Sequence, residues 1–493
     1  MKKSLAFLFV FLLLIGTMAF ANGTQEADRG YDIYVYNSKG ENATQFAAMC
    51  AAYEKETGVR VKNFSIGSGQ DHMETLRSEM NSKDMPTVFS VQGIKELAEW
   101  TQGGFALDLN TVKTGDFGKM AKAIPQSLRL TTDGITSYGV PYNVEGYGYI
   151  VDKQLLGEFF GSDKIDAVIS DIKAASYDEW ANLIKTTDAW IKAPSALSVT
   201  LNGKTYTFAT KKGTLSANLN GVFSVMGSEK WTYGDHFINI ALNAVFTSEL
   251  DANKADNAKV ESAKGALLDY AKALDLKTSY LAGLKGPAER GQDFVSSANF
   301  GYDQAIQIFA ENKAVFLKQG NWAFGNIQNL NADMAKRLVF LPVKMPFKPE
   351  DIKRTDGMTV AKLNSSIPVF VPNYYAINAL ASDADKQKAE AFLYWLNNST
   401  TGKHYLVDEF AFIPYNADPK TTTVPNSLGN SIISYIDSGN ILGAPYNGSP
   451  ASWSGDVVGL KLKESYLTKK TWTEADYNDI ANYAIQKWIE MKN

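Results

Sequence analysis

The alternation of short apolar segments with helical segments near the start of this 493-residue chain narrows the choice of fold more than any other feature. Apolar patterns of period two and period 3.6 predict strands over 32–36, 59–64 and 85–91, separated by helices over 42–57 and 76–81. Parallel strands need a helical crossover of this kind, whereas antiparallel hairpins do not. The pattern therefore predicts a layered α/β protein with a largely parallel sheet.

Residues 1–21 have the three parts of a signal peptide. Two lysines are followed by an apolar run over 5–15 and a small-x-small pattern over 19–21, which predicts cleavage after Ala21. The run is shorter than the ~20 residues of a membrane-spanning helix, although an uncleaved membrane anchor stays the alternative. No cysteine lies near the cleavage position, so no lipid anchor is expected. We therefore expect a mature protein that is free in the periplasm, or secreted.

Charge and cysteine content exclude several classes of partner and site. The formal net charge is -4, and loss of the two signal-peptide lysines brings the mature chain to about -6, which argues against nucleic acid or an anionic membrane as partner. Cys50 is the sole cysteine, so an intramolecular disulfide and a cysteine-based metal site are excluded. It shares a helical stripe with Phe46, Met49 and Tyr53, which predicts a small buried apolar side chain.

Motifs for catalysis or cofactor binding are not evident in the sequence. The three histidines, His72, His236 and His404, have no metal-ligand spacing with one another or with Cys50, and no Gly-x-Ser-x-Gly elbow accompanies them. The Gly-Ser-Gly turn at 67–69 is not followed by the Gly-Lys-Ser/Thr of a phosphate-binding loop. We therefore expect no enzyme activity, no metal and no cofactor. A carboxylate pair for glycoside hydrolysis stays open, because nothing in a sequence marks such a pair.

Two extended segments, 139–152 and 367–377, are candidates for crossings between two lobes. The first begins with a Gly/Pro turn and continues as an aromatic strand, and the second contains two prolines. Between them, alternation around Asn202-Gly203 predicts a type I′ hairpin. With its neighbours, this hairpin forms a predicted insertion over 195–235 that decorates one lobe.

The segment Gly320-Asn321-Trp322 places a large aromatic side chain at a predicted strand-to-helix turn. A tryptophan there either caps the core or offers a flat platform to a ligand. Aromatic residues make up 12% of the chain, and many lie in polar, Gly- and Asn-rich surroundings rather than in periodic runs. That distribution favours the platform. A sugar suits it, because a pyranose ring has a C–H face that stacks on aromatic rings.

Five stretches of the chain can be compared with known families. They are a helix followed by a strand (53–61), a strand (83–89), a crossover (139–155), a segment that contains Gly-x-Trp (305–327), and a second crossover with its helix (374–397), which is followed by a turn (409–416). In order and spacing they resemble the periplasmic solute-binding proteins of ABC sugar importers, the maltose-binding-like family also called extracellular solute-binding family 1. The resemblance extends over nearly all of the mature chain, with 195–235 as its clearest departure.

This resemblance implies a two-lobed periplasmic binding protein fold of the α/β class. Its lobes are discontinuous, are joined by hinge strands and enclose a central ligand cleft that closes on binding. We expect the N-terminal lobe to consist of residues 30–143 and 372–412. The C-terminal lobe then consists of residues 144–371 and 413–493.

The function implied by the resemblance is that of a carbohydrate receptor, without enzyme activity, that delivers a sugar to the membrane subunits of an ABC importer. An oligosaccharide is expected, because two stacking tryptophans far apart in sequence indicate more than one ring site, and a monomer is usual in the family. Three alternatives stay open: a secreted glycan-active enzyme, a ligand-sensing partner of a membrane sensor, and a receptor for a non-sugar solute.

The resemblance also implies which residues bind the ligand. Trp322 matches the tryptophan that stacks on a sugar ring in the family, and Trp453, between two serines, is the best match to a second such tryptophan late in the chain. Glu145 matches an acid that accepts hydrogen bonds from sugar hydroxyls, and charged acceptors make the stronger bonds. Further candidates flank Glu145 or Trp322, follow the first and third strands, where α/β sheets present ligand-binding loops, or lie in the tail: Tyr142, Asn143, Asn321, Asn37, Ser38, Ser90, Gln92 and Tyr446.

Overall fold

The computed structural model describes residues 29–67, 72–113 and 115–492, so the predicted signal peptide and most of the turn at 67–69 lie outside the described residues. The strands form three sheets. Their bounds are β1 Ile33–Asn37, β2 Val61–Ser65, β3 Val88–Val91, β4 Val140–Pro141, β5 Glu145–Asp152, β6 Ser198–Leu201, β7 Lys204–Thr207, β8 Gly221–Ser224, β9 Leu281–Ala282, β10 Pro287–Ala288, β11 Ala314–Gly320, β12 Leu338–Leu341, β13 Ile367–Phe370, β14 Tyr374–Ile377 and β15 Ile441–Leu442.

Helices cover the faces of the two larger sheets. Their bounds are α1 Ala43–Thr57, α2 His72–Met80, α3 Ile94–Gln102, α4 Gly115–Ala123, α5 Lys153–Phe160, α6 Ile165–Ala174, α7 Tyr177–Lys192, α8 Lys230–Gly234, α9 His236–Leu242, α10 Glu249–Lys254, α11 Asn257–Glu261, α12 Lys264–Thr278, α13 Ser297–Phe300, α14 Tyr302–Ala310, α15 Phe324–Leu330, α16 Ala332–Ala335, α17 Val360–Ser365, α18 Asp383–Asn398, α19 Thr400–His404, α20 Ser427–Asp437, α21 Leu460–Ser465 and α22 Glu474–Lys492. None of these helices is long and apolar enough to cross a lipid bilayer.

The first sheet has the strand order β2-β1-β3-β14-β4. Strand β1 pairs in parallel with β2 and β3, whereas β14, from much later in the chain, is antiparallel to β3 and β4. Helix α1 buries the predicted stripe of Phe46, Met49, Cys50 and Tyr53. It ends at Gly58, whose φ of 75° lies in the left-handed region that glycine enters without steric cost. The prediction of a buried Cys50 is thereby confirmed.

The second sheet has the order β10-β9-β8-β11-β5-β13-β15, and β12 also pairs with β5. Its central strand β5 is buried along its whole length and runs antiparallel to β11, β12 and β13. Alternate side chains of β5 pack into two different apolar clusters. Tyr147, Tyr149 and Val151 lie in one cluster, and Ile150 lies in another. This sheet is mixed, because β8 pairs in parallel with β9 and β11, and β13 pairs in parallel with β15. The prediction of largely parallel pairing is therefore right for β1 to β3 and right only in part for the second sheet.

The two predicted crossing segments connect the sheets. Residues 142–144 join β4 of the first sheet to β5 of the second, and residues 371–373 join β13 of the second sheet to β14 of the first. The predicted extended segment 367–377 is thus two strands in different sheets. A bridge between Val144 and Ile413 places a later part of the chain beside the first crossing. Each sheet takes strands from separate parts of the chain, which is the two-lobed α/β arrangement that was expected.

Two local predictions are confirmed. The Ser-x-x-Glu pattern at residues 176–179 predicts a capping box that opens a helix through residue 184. The structure has this reciprocal box at the start of α7, which continues to Lys192. Asn202 and Gly203, with φ of 50° and 75°, form the turn between β6 and β7. These two strands form a separate small sheet, whereas β8 lies inside the second sheet. The segment 195–235 is therefore a decoration only in its first part.

Candidate functional site

A cleft of about 760 Å³ lies where the crossing segments meet the ends of both sheets. One side of the cleft is formed by side chains that follow β1 and β3 of the first sheet. The other side comes from β5, α8, α9, α14 and the turn after β11, all in or around the second sheet. Its lining residues are Lys39, Gln92, Lys95, Glu96, Glu145, Glu229, Trp231, Asp235, His236, Tyr302, Asp303, Trp322, Asn326, Phe370, Pro372, Asn373, Tyr446 and Asn447.

An aromatic wall, formed by Trp322, Trp231 and Tyr302, lines the second-sheet side of the cleft. The two indole rings lie 6.5 Å apart at 54°, and the ring of Tyr302 lies 6.5 Å from that of Trp231 at 31°. All three side chains are partly exposed. A Cβ atom on Gly320 would overlap the six-membered ring of Trp322, so this ring position requires glycine at residue 320. The wall presents flat apolar surface to any molecule in the cleft.

A buried ion pair crosses from one side of the cleft to the other. Lys39 Nζ lies 2.8 Å from Glu145 Oε1, and the two side chains are 8% and 5% exposed. Asn143 Nδ2 donates a second hydrogen bond of 2.7 Å to the same carboxylate oxygen. Lys39 Nζ also lies 5.4 Å from the ring centroid of Phe412. These contacts fix the Glu145 carboxylate at the start of β5.

A second cation, Lys95 on α3, reaches from the first sheet towards the second. Its Nζ donates to Ser454 Oγ at 2.9 Å and lies 3.9 Å from Asp235 Oδ1 and 4.9 Å from the ring centroid of Tyr446. Burial lowers the pKa of Lys95, and the neighbouring carboxylates, Asp235 and Glu249 first, act in the opposite direction. The cleft thus contains two lysines, and each has a carboxylate partner.

The floor of the cleft is formed by rings that surround His236. Its imidazole stacks on Tyr147 with a centroid distance of 4.5 Å and an angle of 14°. Phe370 and Tyr446 meet it edge-on at 6.2 and 5.8 Å. Burial, followed by the charges of Lys318 and Lys95, lowers the pKa of His236 well below its ordinary value. The histidine is therefore neutral at physiological pH.

Four of the residues predicted to bind ligand line the cleft: Trp322, Glu145, Gln92 and Tyr446. Gln92 is exposed and follows β3, as the strand-end argument predicted. Tyr446 is 8% exposed and lies over Lys95. The structure brings these four together from positions more than 350 residues apart, and it adds Trp231, Lys95 and His236, which sequence reasoning did not propose.

Asn37, Ser38 and Ser90 do not line the cleft but shape the loop that carries Lys39. Asn37 Nδ2 donates to the backbone carbonyl of Lys39 at 2.9 Å. Ser38 Oγ donates to Asn373 Oδ1 at 2.9 Å, and the backbone N–H of Ser38 donates to Ser90 Oγ at 3.2 Å. These side chains support residues that do reach the cleft.

Tyr142, Asn143 and Asn321 are likewise buried behind the cleft surface. The Tyr142 hydroxyl accepts a hydrogen bond from Asn42 Nδ2 at 3.3 Å. Asn143 orients Glu145, and Asn321 Oδ1 accepts from the backbone N–H of Gly146 at 3.1 Å. None of these three lines the cleft among the described residues, so we assign them support of the crossing segment and of the turn after β11.

The expectation of a stacking role for Trp453 is corrected by its position. Its side chain is 0% exposed, its Nε1 donates to the carbonyl of Ala484 at 2.8 Å, and its ring meets that of Trp488 at 4.5 Å. Small polar neighbours in sequence were misleading, because helix α22 folds back to cover the tryptophan. The second partly exposed indole of the cleft is Trp231. The polar Gly-Ser-Glu-Lys run that precedes it in the sequence is a signal that could have indicated its exposure.

Among the described residues, no group of three or more His, Cys, Asp and Glu side chains is arranged to hold a metal ion.

Comparisons with known proteins agree with this fold. A family model described as bacterial extracellular solute-binding protein matches residues 48–423, whereas no curated protein matches. The solute-binding protein RafE in complex with raffinose is 15% identical, with a TM-score of 0.59 over 94% of this chain and 99% of that one. A chitin oligosaccharide binding protein is 14% identical (TM-score 0.59, 93% and 99%). The maltose/maltodextrin-binding domain MalE from Bdellovibrio bacteriovorus, bound to maltotriose, is 16% identical (TM-score 0.54, 93% and 99%). At these identities the solved structures establish the fold, and the match over most of the chain establishes that this protein belongs to the bacterial extracellular solute-binding protein family.

Proposed function

We propose that this protein is a carbohydrate receptor that binds an oligosaccharide in the cleft and delivers it to the membrane subunits of an ABC importer. The observation that carries the proposal is the aromatic wall, with hydrogen-bonding groups facing it across the same cleft. A pyranose ring has apolar C–H faces and polar hydroxyl edges. It matches a site in which flat apolar surface lies opposite polar groups, the combination that small-molecule pockets use for affinity and orientation.

The lysines of the cleft do not favour an anionic ligand. Lys39 is paired with Glu145, and Lys95 lies beside Asp235, so neither lysine offers an unpaired charge. Glu145 is held by Lys39 and Asn143 and retains acceptor capacity for a hydroxyl. Raffinose, maltotriose and chitin oligosaccharide, which appear in the names of the structural relatives, support a ligand of the same class.

The cleft is lined by residues from around both sheets, which supports closure of the cleft around a bound ligand. A ligand shifts the population towards a closed form only if it binds that form better, which contact with both lobes provides. We propose the lobes as 30–143 with 372–412 and 144–371 with 413–493, the hinges being the two crossing segments. The mature protein acts as a monomer in the periplasm after cleavage behind Ala21.

A thermal-shift screen of the mature protein tests the proposal. The screen uses a sugar panel of glucose, galactose, raffinose, maltotriose, chitotriose and xylotriose, with amino acids and polyamines alongside. A ligand at 100 times its Kd stabilises the folded state by about 2.7 kcal/mol, which raises the melting temperature. We expect a shift with at least one oligosaccharide that is lost in Trp322→Ala and kept in Tyr483→Ala, an aromatic control on α22. A shift with amino acids or polyamines and none with sugars would overturn the carbohydrate assignment.

A further inference from the structure

His236 differs from the other two histidines in having no hydrogen-bond partner in the described part of the chain. His72 Nε2 lies 3.2 Å from Glu96 Oε2, and His404 Nδ1 lies 2.7 Å from Asp408 Oδ2. His236 and His72 are each 9% exposed, and each has a buried Nδ1 without a partner, but the Nε2 of His236 has no hydrogen bond among the described residues either. A buried polar group without a hydrogen bond is costly, and such groups in folded proteins call for an explanation.

His236 also forms the floor of the ligand cleft, where its second ring nitrogen, Nε2, can meet a ligand. Its ring centroid lies 5.2 Å from that of Trp231 and 5.3 Å from that of Trp322, the two indoles of the aromatic wall. Tyr147 supports its other face. Since Nδ1 is buried, Nε2 is the ring nitrogen available to a molecule that lies against the wall.

Burial, followed by the charges of two lysines, lowers the pKa of this imidazole below its ordinary value. Lys318 Nζ lies 4.6 Å from the ring centroid of Tyr147, whose ring stacks on His236, and donates to the carbonyl of Thr232 at 3.2 Å. Lys95 contributes a second positive charge, and both lower the pKa of His236 in addition to burial. A neutral imidazole has one donor and one acceptor nitrogen.

We propose that His236 is a ligand-binding residue whose imidazole hydrogen-bonds a hydroxyl of the carbohydrate at the floor of the cleft, below Trp231 and Trp322. The inference rests on the proposed carbohydrate function. A hydroxyl group both donates and accepts, so it satisfies Nε2 in either tautomer, whereas an ammonium group only donates and a carboxylate only accepts.

The test is a calorimetric titration of the wild-type protein and His236→Phe with the sugar panel. Phenylalanine keeps a ring on Tyr147 and removes the buried unpaired nitrogen, so the unliganded melting temperature should stay the same or rise. Affinity for the bound sugar should fall at least about tenfold, because a ligand hydroxyl is left unpaired. His404→Phe, a substitution at an exposed histidine, is the control and should bind like the wild type.

Histidine-selective ¹⁵N labelling adds a readout that a merely structural role would not move. With three histidines in the chain, the imidazole signals are few. Binding of the sugar should shift the ring-nitrogen signals of His236 and leave those of His72 and His404 in place. A wild-type protein that binds sugar, together with unchanged affinity in His236→Phe and an unshifted His236 signal, would overturn this inference alone. A wild-type protein that binds none of the sugars would overturn it together with the proposed function.

Discussion

Lys39 Nζ lies 2.8 Å from Glu145 Oε1, and this ion pair joins the loop after β1 of the first sheet to the first residue of β5 in the second. Both side chains are nearly inaccessible to solvent, at 8% and 5% exposure. Removing two charges from water is costly, and the mutual attraction of a buried pair offsets the cost only when the geometry is good. Substitution of either residue should therefore disturb the placement of one sheet relative to the other.

We expect Lys39→Met to lower the free energy of unfolding by about 3 kcal/mol, because it leaves the Glu145 carboxylate buried without its counter-ion. The double variant Lys39→Met/Glu145→Gln should recover part of this loss, since a neutral amide still accepts the hydrogen bond from Asn143. Urea unfolding of the wild type, both single variants and the double variant gives the coupling energy. Strictly additive effects would show that the two side chains do not interact.

Gly320→Ala should weaken ligand binding through Trp322 without touching the ligand. A Cβ on Gly320 overlaps the indole ring, so the tryptophan must move, and crowding of this kind costs ~1–3 kcal/mol of stability. The matched control is Gly325→Ala, in α15, where an added Cβ meets nothing within 4 Å and should raise stability by roughly 0.5–1 kcal/mol. Equal sugar affinity in the two variants would contradict the assigned ring position.

Trp231 and Trp453 should behave in opposite ways when truncated. Trp453→Ala removes a fully buried indole and should cost about 3–5 kcal/mol of stability, while the remaining folded protein binds sugar normally. Trp231→Ala removes a partly exposed ring of the aromatic wall and should weaken binding with little effect on stability. Denaturation measures the stability of both variants, and calorimetry measures their affinity for the sugar. Loss of affinity with Trp453→Ala alone would restore the original sequence-based assignment.

Glu249 should make stability depend on pH near neutrality. Burial raises the pKa of Glu249 to about 7, and the hydrogen bond from Asn447 and the charge of Lys95 only partly oppose this. An acid with a raised folded-state pKa binds more protons folded than unfolded between its two pKa values. The free energy of unfolding therefore falls as the pH rises from about 4.5 to about 7 and is level above that window.

Glu249→Gln removes this titration and keeps an acceptor for Asn447. We expect the variant to be more stable than the wild type at pH 8, by on the order of 2 kcal/mol, and close to it at pH 5. Urea unfolding at the two pH values measures the difference, with the exposed Glu261→Gln as control. A variant that loses as much stability between pH 5 and pH 8 as the wild type would contradict the assignment.

Local signals in the sequence predicted local structure well. The capping box of Ser176 and Glu179, the turn at Asn202-Gly203 and the helix end at Gly58 each depend on residues within a few positions of one another. Their physical causes, a cap hydrogen bond and a positive φ, are complete within the segment. The strand-and-helix alternation likewise predicted β1 to β3 of the first sheet, because the helices between them bury stripes that are visible as periodicity.

The candidate site was harder to predict, because its contacts join distant residues. Lys39 and Glu145 are 106 positions apart, and nothing near either residue indicates the partner. Trp453 has small polar neighbours in sequence, yet it is buried by Trp488 from a helix that comes later in the chain. Trp231 lies in a segment that was expected to be a decoration. Long-range packing, rather than local composition, determines which aromatic ring faces the cleft.

The most direct test of a carbohydrate receptor with an aromatic wall is an isothermal titration of the mature protein with the oligosaccharide that gives the largest thermal shift. The wild type should bind with one-to-one stoichiometry. The double variant Trp231→Ala/Trp322→Ala should lose at least about 2 kcal/mol of binding free energy, as expected for truncation of anchor aromatics, and should still unfold cooperatively. Undiminished binding by a correctly folded double variant would contradict the account.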